Sequence, residues 1–242
     1  MDPGAYREMA DTEGRHWWFT GRRAILTALL RRLAVPRDAR ILEIGCGTGG
    51  NLDMLAAFGR VSAMETDAAA RAIAIEKTGG RFEIRAGACP HDIPFPPQAF
   101  DLVCMFDVLE HIDEDVATLR AVRALLASGG HALITVPAYR WMWSAHDEFL
   151  HHKRRYTAEE LRTKVSAAGL ETRAVSYFNT VLFPLAAAVR LKDRLLGSDS
   201  ASGHAVPPRL VNGLFHALFS AERHVVGRVP LPFGVSLVAL LG

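Results

Sequence analysis

At 242 residues, half of them apolar, the chain can bury one sizeable α/β core with an elaboration and needs neither disulfides nor a structural metal. A formal charge of +2, from 28 basic and 26 acidic residues, gives no argument for a nucleic-acid partner, and none is expected. Cys46, Cys89 and Cys104 show no CxxC spacing, which argues against zinc and for a reduced, cytoplasmic setting.

Residues 1–14 are polar and acidic rather than basic and then apolar, so no signal peptide is expected. Apolar residues at helical spacing predict a helix over 17–33, ended by Pro36, and 40–44 reads as a buried first strand. After a glycine cluster come a helix at 51–58, a strand at 60–64 and an alanine-rich helix at 68–77 closed by Gly79 and Gly80. Strands at 82–85 and 100–106, a helix at 114–126 and a strand at 131–136 continue the rhythm, and such alternation means a mostly parallel sheet with helices on both faces. Thr157, with Glu160 three residues on, opens a capped helix that ends at Gly169 before a strand at 171–177.

Helices at 179–196 and 208–226 follow, joined by a Gly/Ser-rich linker at 197–203, and a seventh strand is expected at 234–240. The chain thus divides into an N-terminal lid helix (1–36), a core (37–178), a helical cap (179–228) and a last core strand (229–242). Leu210, Val211, Leu214, Phe215, Leu218 and Phe219 form one apolar stripe, and Arg190, Lys192, Arg194 and Arg209 flank the two helices. That pattern suits a cap over an acceptor pocket, a homodimer interface or peripheral contact with the inner face of a membrane. The apolar runs at 180–189 and 229–241 are shorter than the roughly 20 residues of a spanning helix.

The chemistry begins where 41–50, Ile-Leu-Glu-Ile-Gly-Cys-Gly-Thr-Gly-Gly, runs from the first strand into a helix. Glycines at 45, 47 and 49 let the backbone turn tightly against a ligand, yet Gly45, Gly47 and Gly50 also satisfy the dinucleotide pattern GxGxxG. Glu43 would repel a diphosphate there and suits a cationic cofactor, such as the ammonium and sulfonium of S-adenosylmethionine. Glu65, ending the second strand, can accept hydrogen bonds from both ribose hydroxyls of either cofactor.

The glycine loop, Asp92-Ile-Pro-Phe-Pro96, Phe100-Asp-Leu-Val103, Asp107-Val-Leu-Glu-His111 and Gly129-Gly130 together resemble class I S-adenosylmethionine-dependent methyltransferases, and more narrowly the branch containing the ubiquinone-biosynthesis O-methyltransferases. The resemblance covers residues 40 to about 177 and implies a Rossmann-like fold. It implies further that Gly45, Cys46, Gly47 and Gly49 line the methionine part of the cofactor, and that Glu43 orders the loop or its ammonium contact. Glu65 would hold the ribose, Thr66, Ala88 and Cys89 would meet the adenine, and Phe106 and Asp107 would meet the methionyl part. His111 would face the transferred methyl. In place of an acidic residue near the adenine amino group stands Gly87-Ala-Cys-Pro90, so backbone atoms would serve there.

His16-Trp-Trp-Phe19 with Arg22 and Arg23 resembles a lid of this branch; Arg22 would bind the cofactor carboxylate, and Trp18 with its neighbours would wall the reacting centre from water. Ordinary aromatic packing explains the same residues equally well. Methyl transfer from a sulfonium needs chiefly alignment; if the acceptor is a phenol or alcohol, as O-methylation requires, His111 or His146 is the candidate base. At the carboxyl edge of the sheet, Tyr139, Trp141 and Trp143 would wall an apolar or aromatic small-molecule acceptor, and Lys153, Arg154 and Arg155 would pair with an anionic group. His146, Glu148, His151 and His152 do not match HExxH and read as a loop, so no metal is expected. The rival readings are a nicotinamide-dependent oxidoreductase and a non-catalytic partner or membrane adaptor that keeps the fold.

Overall fold

The computed structural model describes residues 3–196 and 206–242; the expected linker at 197–203 and the side chain of Arg194 lie outside the described residues. Two helices, α1 (Pro3–Thr12) and α2 (Trp17–Leu30), precede the sheet. The core then runs β1 (Ala39–Ile44), α3 (Leu52–Ala56), β2 (Gly59–Glu65), α4 (Ala68–Lys77), β3 (Glu83–Ala86), β4 (Phe100–Phe106), α5 (Asp115–Leu125) and β5 (Leu126–Pro137). A short helix α6 (Ala145–Phe149), α7 (Ala158–Ala167), β6 (Thr172–Phe178), α8 (Phe183–Leu196), α9 (Arg209–Ala221) and β7 (Ser236–Leu241) complete it.

The seven strands lie in the order β3-β2-β1-β4-β5-β7-β6. The first five are parallel, while β7 runs antiparallel to both β5 and β6, so the expected seven-stranded, mostly parallel sheet is present. The chain builds outward from β1 to β3 and then returns to β4 on the other side of β1. The loops that follow β1 and β4 therefore leave in opposite directions and open a crevice between them, where ligands of open α/β sheets bind.

Strand alternation sorts the two core faces. Leu42, Ile44, Val103 and Met105 point to α5 and α7, whereas Ile41, Leu102 and Cys104 point to Ile25, Leu26 and Leu30 of α2. Phe219 of α9 is fully buried on the second face, between Trp17 and Phe178. The apolar stripe of α9 is accordingly split: Phe219 turns inward, while Leu210 (89% exposed) and Leu214 (57% exposed) face outward.

Several boundaries depart from the sequence pattern for identifiable reasons. β5 starts at Leu126 instead of 131, because Leu126 pairs with Phe100 across an irregularity that Gly129, at φ +73°, accommodates within the strand. α8 starts at Phe183 instead of 179, because the amides of Asn179, Thr180 and Val181 donate to the Glu222 carboxylate at 2.6, 2.7 and 2.9 Å. α1 has no counterpart among the expected elements; Pro3 at its first position and Tyr6 and Met9 one turn apart are its only local signals. Among the described residues no helix is long and apolar enough to cross a membrane.

A β-carbon added at Gly21 would lie 2.6 Å from the buried ring of Phe219. Gly21→Ala is expected to lower stability by about 1–3 kcal/mol despite alanine's better helix propensity, read as a lower midpoint in urea unfolding. A rise in the midpoint would show that α9 does not pack on α2 in this way.

Candidate active site

A cavity of about 840 Å³ occupies the crevice, walled by the loop after β1, the ends of β2 and β4, the turn after β3, and faces of α1, α2 and α8. The glycine loop is bent back onto β2 by two bonds to one carbonyl, Gly45 N and Cys46 N donating to Met64 O at 2.8 and 3.2 Å. Gly45 has φ +69°, and a β-carbon there would stand 2.6 Å from the Val108 side chain, so only glycine leaves the loop in place and the cavity open. That cradle fits a nucleoside cofactor whose backbone contacts are close.

Most of the expected cofactor residues come together on this wall: Arg22, Gly45, Cys46, Gly47, Glu65 and Thr66, with Ala88, Cys89, Phe106 and Asp107 opposite. Two do not. Gly49 is off the wall; a β-carbon there would press on Ala74 at 3.2 Å, so its absence serves the packing of α4 against the loop. Glu43 lies beneath the loop, 1% exposed, with Oε1 accepting from Asn51 Nδ2 at 2.8 Å. Burial pushes its carboxyl up to about 8, and the buried carboxyl orders the loop from below instead of meeting an ammonium. Glu65 has the same tying function in addition to its cavity position, accepting from Gly47 N at 2.8 Å and Asp67 N at 2.9 Å.

The N-terminal helices close one side. Glu13, at the end of α1, accepts from Thr48 Oγ1 at 2.8 Å and pairs with Lys77, holding α1 over the glycine loop. Arg22 is buried, stacks over the Trp18 ring at 4.4 Å and forms an ion pair with Asp107. Thus a cation from the lid and an anion from the end of β4 meet at the cofactor end of the cavity.

The acceptor side differs from the expectation. His111 and His146 line the cavity, and Trp18 does so from the lid, but Tyr139, Trp141, Trp143 and Arg154 do not. Tyr139 stacks between Tyr177 and Trp141 at 5.0 and 5.7 Å, Trp141 is 46% exposed, and Trp143 Nε1 reaches Glu148 at 3.4 Å outside the cavity. Arg154 binds Asp115 at 2.8 Å and the Asp113 carbonyl at 3.0 Å. Arg155 does reach the wall, but its guanidinium is engaged with Asp147 at 2.7 and 2.9 Å and with the Ala138 carbonyl at 3.1 Å. These arginines hold the fold; the acidic partner of Arg154 is 39 residues away in sequence and that of Arg155 is eight residues away. Apolar residues of the cavity wall come instead from Leu182, Leu185, Ala186 and Val189 on and before α8, and from Phe215 of α9.

Burial and the neighbouring His152 push the His111 imidazole down to about 4, so it is neutral at physiological pH. His146 and Glu148 sit on α6 and not in a loop, and the metal-type grouping among the described residues is a different one from that weighed in the sequence: Glu110, His111 and His152, with donor atoms all within 4.8 Å of one another.

Because the folded Glu43 carboxyl keeps its proton up to about pH 8 while the unfolded one loses it near its ordinary 4.5, unfolding releases a proton between those values and stability falls as pH rises. Glu43→Gln removes that dependence. The stability of the variant relative to the parent is expected to increase by about 1.4 kcal/mol per pH unit between pH 5.5 and 7.5 in urea titrations. A pH-independent difference would mean that the carboxyl is ionised in the fold.

The comparisons with known proteins agree with this arrangement. A family model described as a methyltransferase domain matches residues 17–175. A probable S-adenosylmethionine-dependent methyltransferase of Mycolicibacterium smegmatis is 30% identical over 159 residues, covering 64% of this chain and 60% of that protein. A ubiquinone biosynthesis O-methyltransferase of Cereibacter sphaeroides is 32% identical over 108 residues, 41% of this chain and 43% of that protein. The chain therefore spans about three fifths of the first relative's length and less than half of the second's. In fold, a solved S-adenosylmethionine-dependent methyltransferase from Mesorhizobium loti superposes with a TM-score of 0.59 at 15% identity, covering 90% of this chain and 97% of that one. With the family model spanning the lid helix and the sheet through β6, the chain belongs to the class I S-adenosylmethionine-dependent methyltransferases.

Proposed function

We propose that the protein transfers a methyl group from S-adenosylmethionine to the oxygen of a largely apolar small molecule. The observation that carries this reading is the continuity of one cavity from the glycine loop to the apolar face of α8. The Cereibacter sphaeroides relative, an O-methyltransferase of ubiquinone biosynthesis, supports oxygen as the methylated atom.

The cofactor, when bound, supplies a methyl group already activated on a sulfonium. The chain's own residues then hold and align. Arg22 and Asp107 form an ion pair complementary to an amino-acid zwitterion, the guanidinium suited to its carboxylate and Asp107 to its ammonium. In this reading Glu65 binds the ribose, and Thr66, Ala88 and Cys89, all on the cavity wall, surround the base. Trp18 and the lid keep water from the reacting centre, and Leu185, Val189 and Phe215 take the apolar body of the acceptor. His111, neutral in the fold, and His146 are the candidates to take the acceptor's proton.

Calorimetric titration with S-adenosylmethionine, S-adenosylhomocysteine and NADH tests the cofactor reading; micromolar binding of the first two alone is expected, and selective NADH binding would overturn it. Arg22→Ala is expected to weaken cofactor binding by about ten- to a hundredfold, the range of a charge-assisted hydrogen bond. Val189→Asp should cut turnover of apolar phenols while cofactor affinity stays within about twofold; equal turnover would remove α8 from the acceptor wall.

A further inference from the structure

Glu110 and His152 have no part in the scheme above, yet both lie on the cavity wall beside His111. Glu110 is fully buried, and neither of its carboxylate oxygens has a hydrogen-bond partner. A carboxylate stripped of water and partners is costly. Protonation alone does not resolve the site, because a protonated carboxyl needs an acceptor; the His152 Nε2 is 3.9 Å from Glu110 Oε1, too far for a hydrogen bond. The geometry leaves room for a third body between these groups.

The rest of the cluster is set up for a cation. His152 Nδ1 is bonded to Asp147 Oδ1 at 2.9 Å, which leaves Nε2 directed to Glu110 and His111. Asp147 is itself fully buried and gripped at both oxygens by Arg155, so the imidazole is held in one orientation. A carboxylate behind an imidazole is the usual outer partner of a metal-bound histidine. The His111 ring meets the His152 ring edge to face at 4.7 Å between centroids. The three residues come from two segments that the backbone joins: Lys153 N donates to the Glu110 carbonyl at 2.8 Å, and Arg154 bridges to Asp113 and Asp115.

We propose that Glu110, His111 and His152 bind one divalent transition-metal ion of the zinc type in the wall of the cavity. Two imidazole nitrogens and one carboxylate oxygen form a borderline-soft donor set with a coordination position left open, which suits zinc or cobalt and not magnesium. Donor atoms of a tetrahedral zinc site stand about 3.4 Å apart, and the three donor atoms here already lie within 4.8 Å of one another. The open position faces the cavity. If the methyltransferase reading holds, on which this use of the site rests, the ion would take a hydroxyl oxygen of the acceptor and lower its proton affinity, and His146 on the cavity wall, not the then ligated His111, would be the base that takes the proton. That narrows the acceptors to phenols and alcohols.

The test uses the full chain freed of metal with a chelator and measured without cofactor. Zinc titration by calorimetry is expected to give one ion per chain, and cobalt(II) visible d–d bands of a low-coordinate site. Glu110→Gln keeps the shape of the protonated carboxyl, and His152→Ala removes the held imidazole; each should weaken zinc binding at least a hundredfold with the circular dichroism spectrum unchanged. His91→Ala, on an exposed histidine outside the cluster, should leave it within about twofold. Absence of stoichiometric zinc binding, or binding unaltered in both cluster variants, overturns the site. Titration of the same sample with S-adenosylmethionine reports separately on the methyltransferase reading: cofactor bound without metal refutes the ion alone, and metal bound without cofactor refutes the methyl-transfer role alone.

Discussion

The reversal of strand order at β1 governs everything else in the molecule. Because β2 and β4 flank β1 on opposite sides, the chain must leave the carboxyl ends of β1 and β4 in different directions. A gap then opens that neither strand can fill. The backbone at the end of β1 has to turn sharply in that gap, which it does by hanging two amides on the Met64 carbonyl. Arg22, Gly45, Cys46, Glu65 and Asp107 border this gap, and the helices α1, α2 and α8 lie over it.

A second level of order is electrostatic and lies on the far side of the cavity. The segment after β5 contains a dense run of bases, of which His152, Lys153, Arg154 and Arg155 are each matched to an acid. Asp147 receives Arg155 and His152; Asp115 receives Arg154 and Lys164 and accepts from the Tyr156 hydroxyl at 3.1 Å. Burial would raise the Asp147 carboxyl, but His152 and Arg155 hold it well below the usual range instead. The pairing converts a segment with little regular structure into a rigid wall, and it is the reason that His152 stands beside Glu110 and His111.

What was legible in the sequence was local or periodic. The glycine loop, the acid ending β2, the Thr157–Glu160 capping box and the βα alternation each depend on residues within a few positions of one another, and all stand in the structure. Contacts that join distant segments were not legible. Arg22 carried its positive charge in plain view, yet only the fold shows Asp107 across from it. Trp141 and Trp143 looked like walls of an acceptor site because aromatic residues at a sheet edge often are, but the chain turns them outward. Gly49 shows the same limit at one residue: a glycine that spares a ligand and one that spares a neighbouring helix read identically in sequence.

The position of β7 sets the order in which the protein can be completed. Among the described residues β7 is the one strand that pairs with β6, and β7 follows α8 and α9 in the chain. While those helices emerge, β5 presents an open edge and β6 has no ladder at all, both rich in apolar residues. β7 between them pairs with β5 and with the inner edge of β6, and Phe219 of α9 packs with the lid helix α2 on the sheet. Completion of the sheet and roofing of the crevice therefore share one support, and a chain cut before β7 would keep the glycine loop but lose the strand that joins β5 to β6.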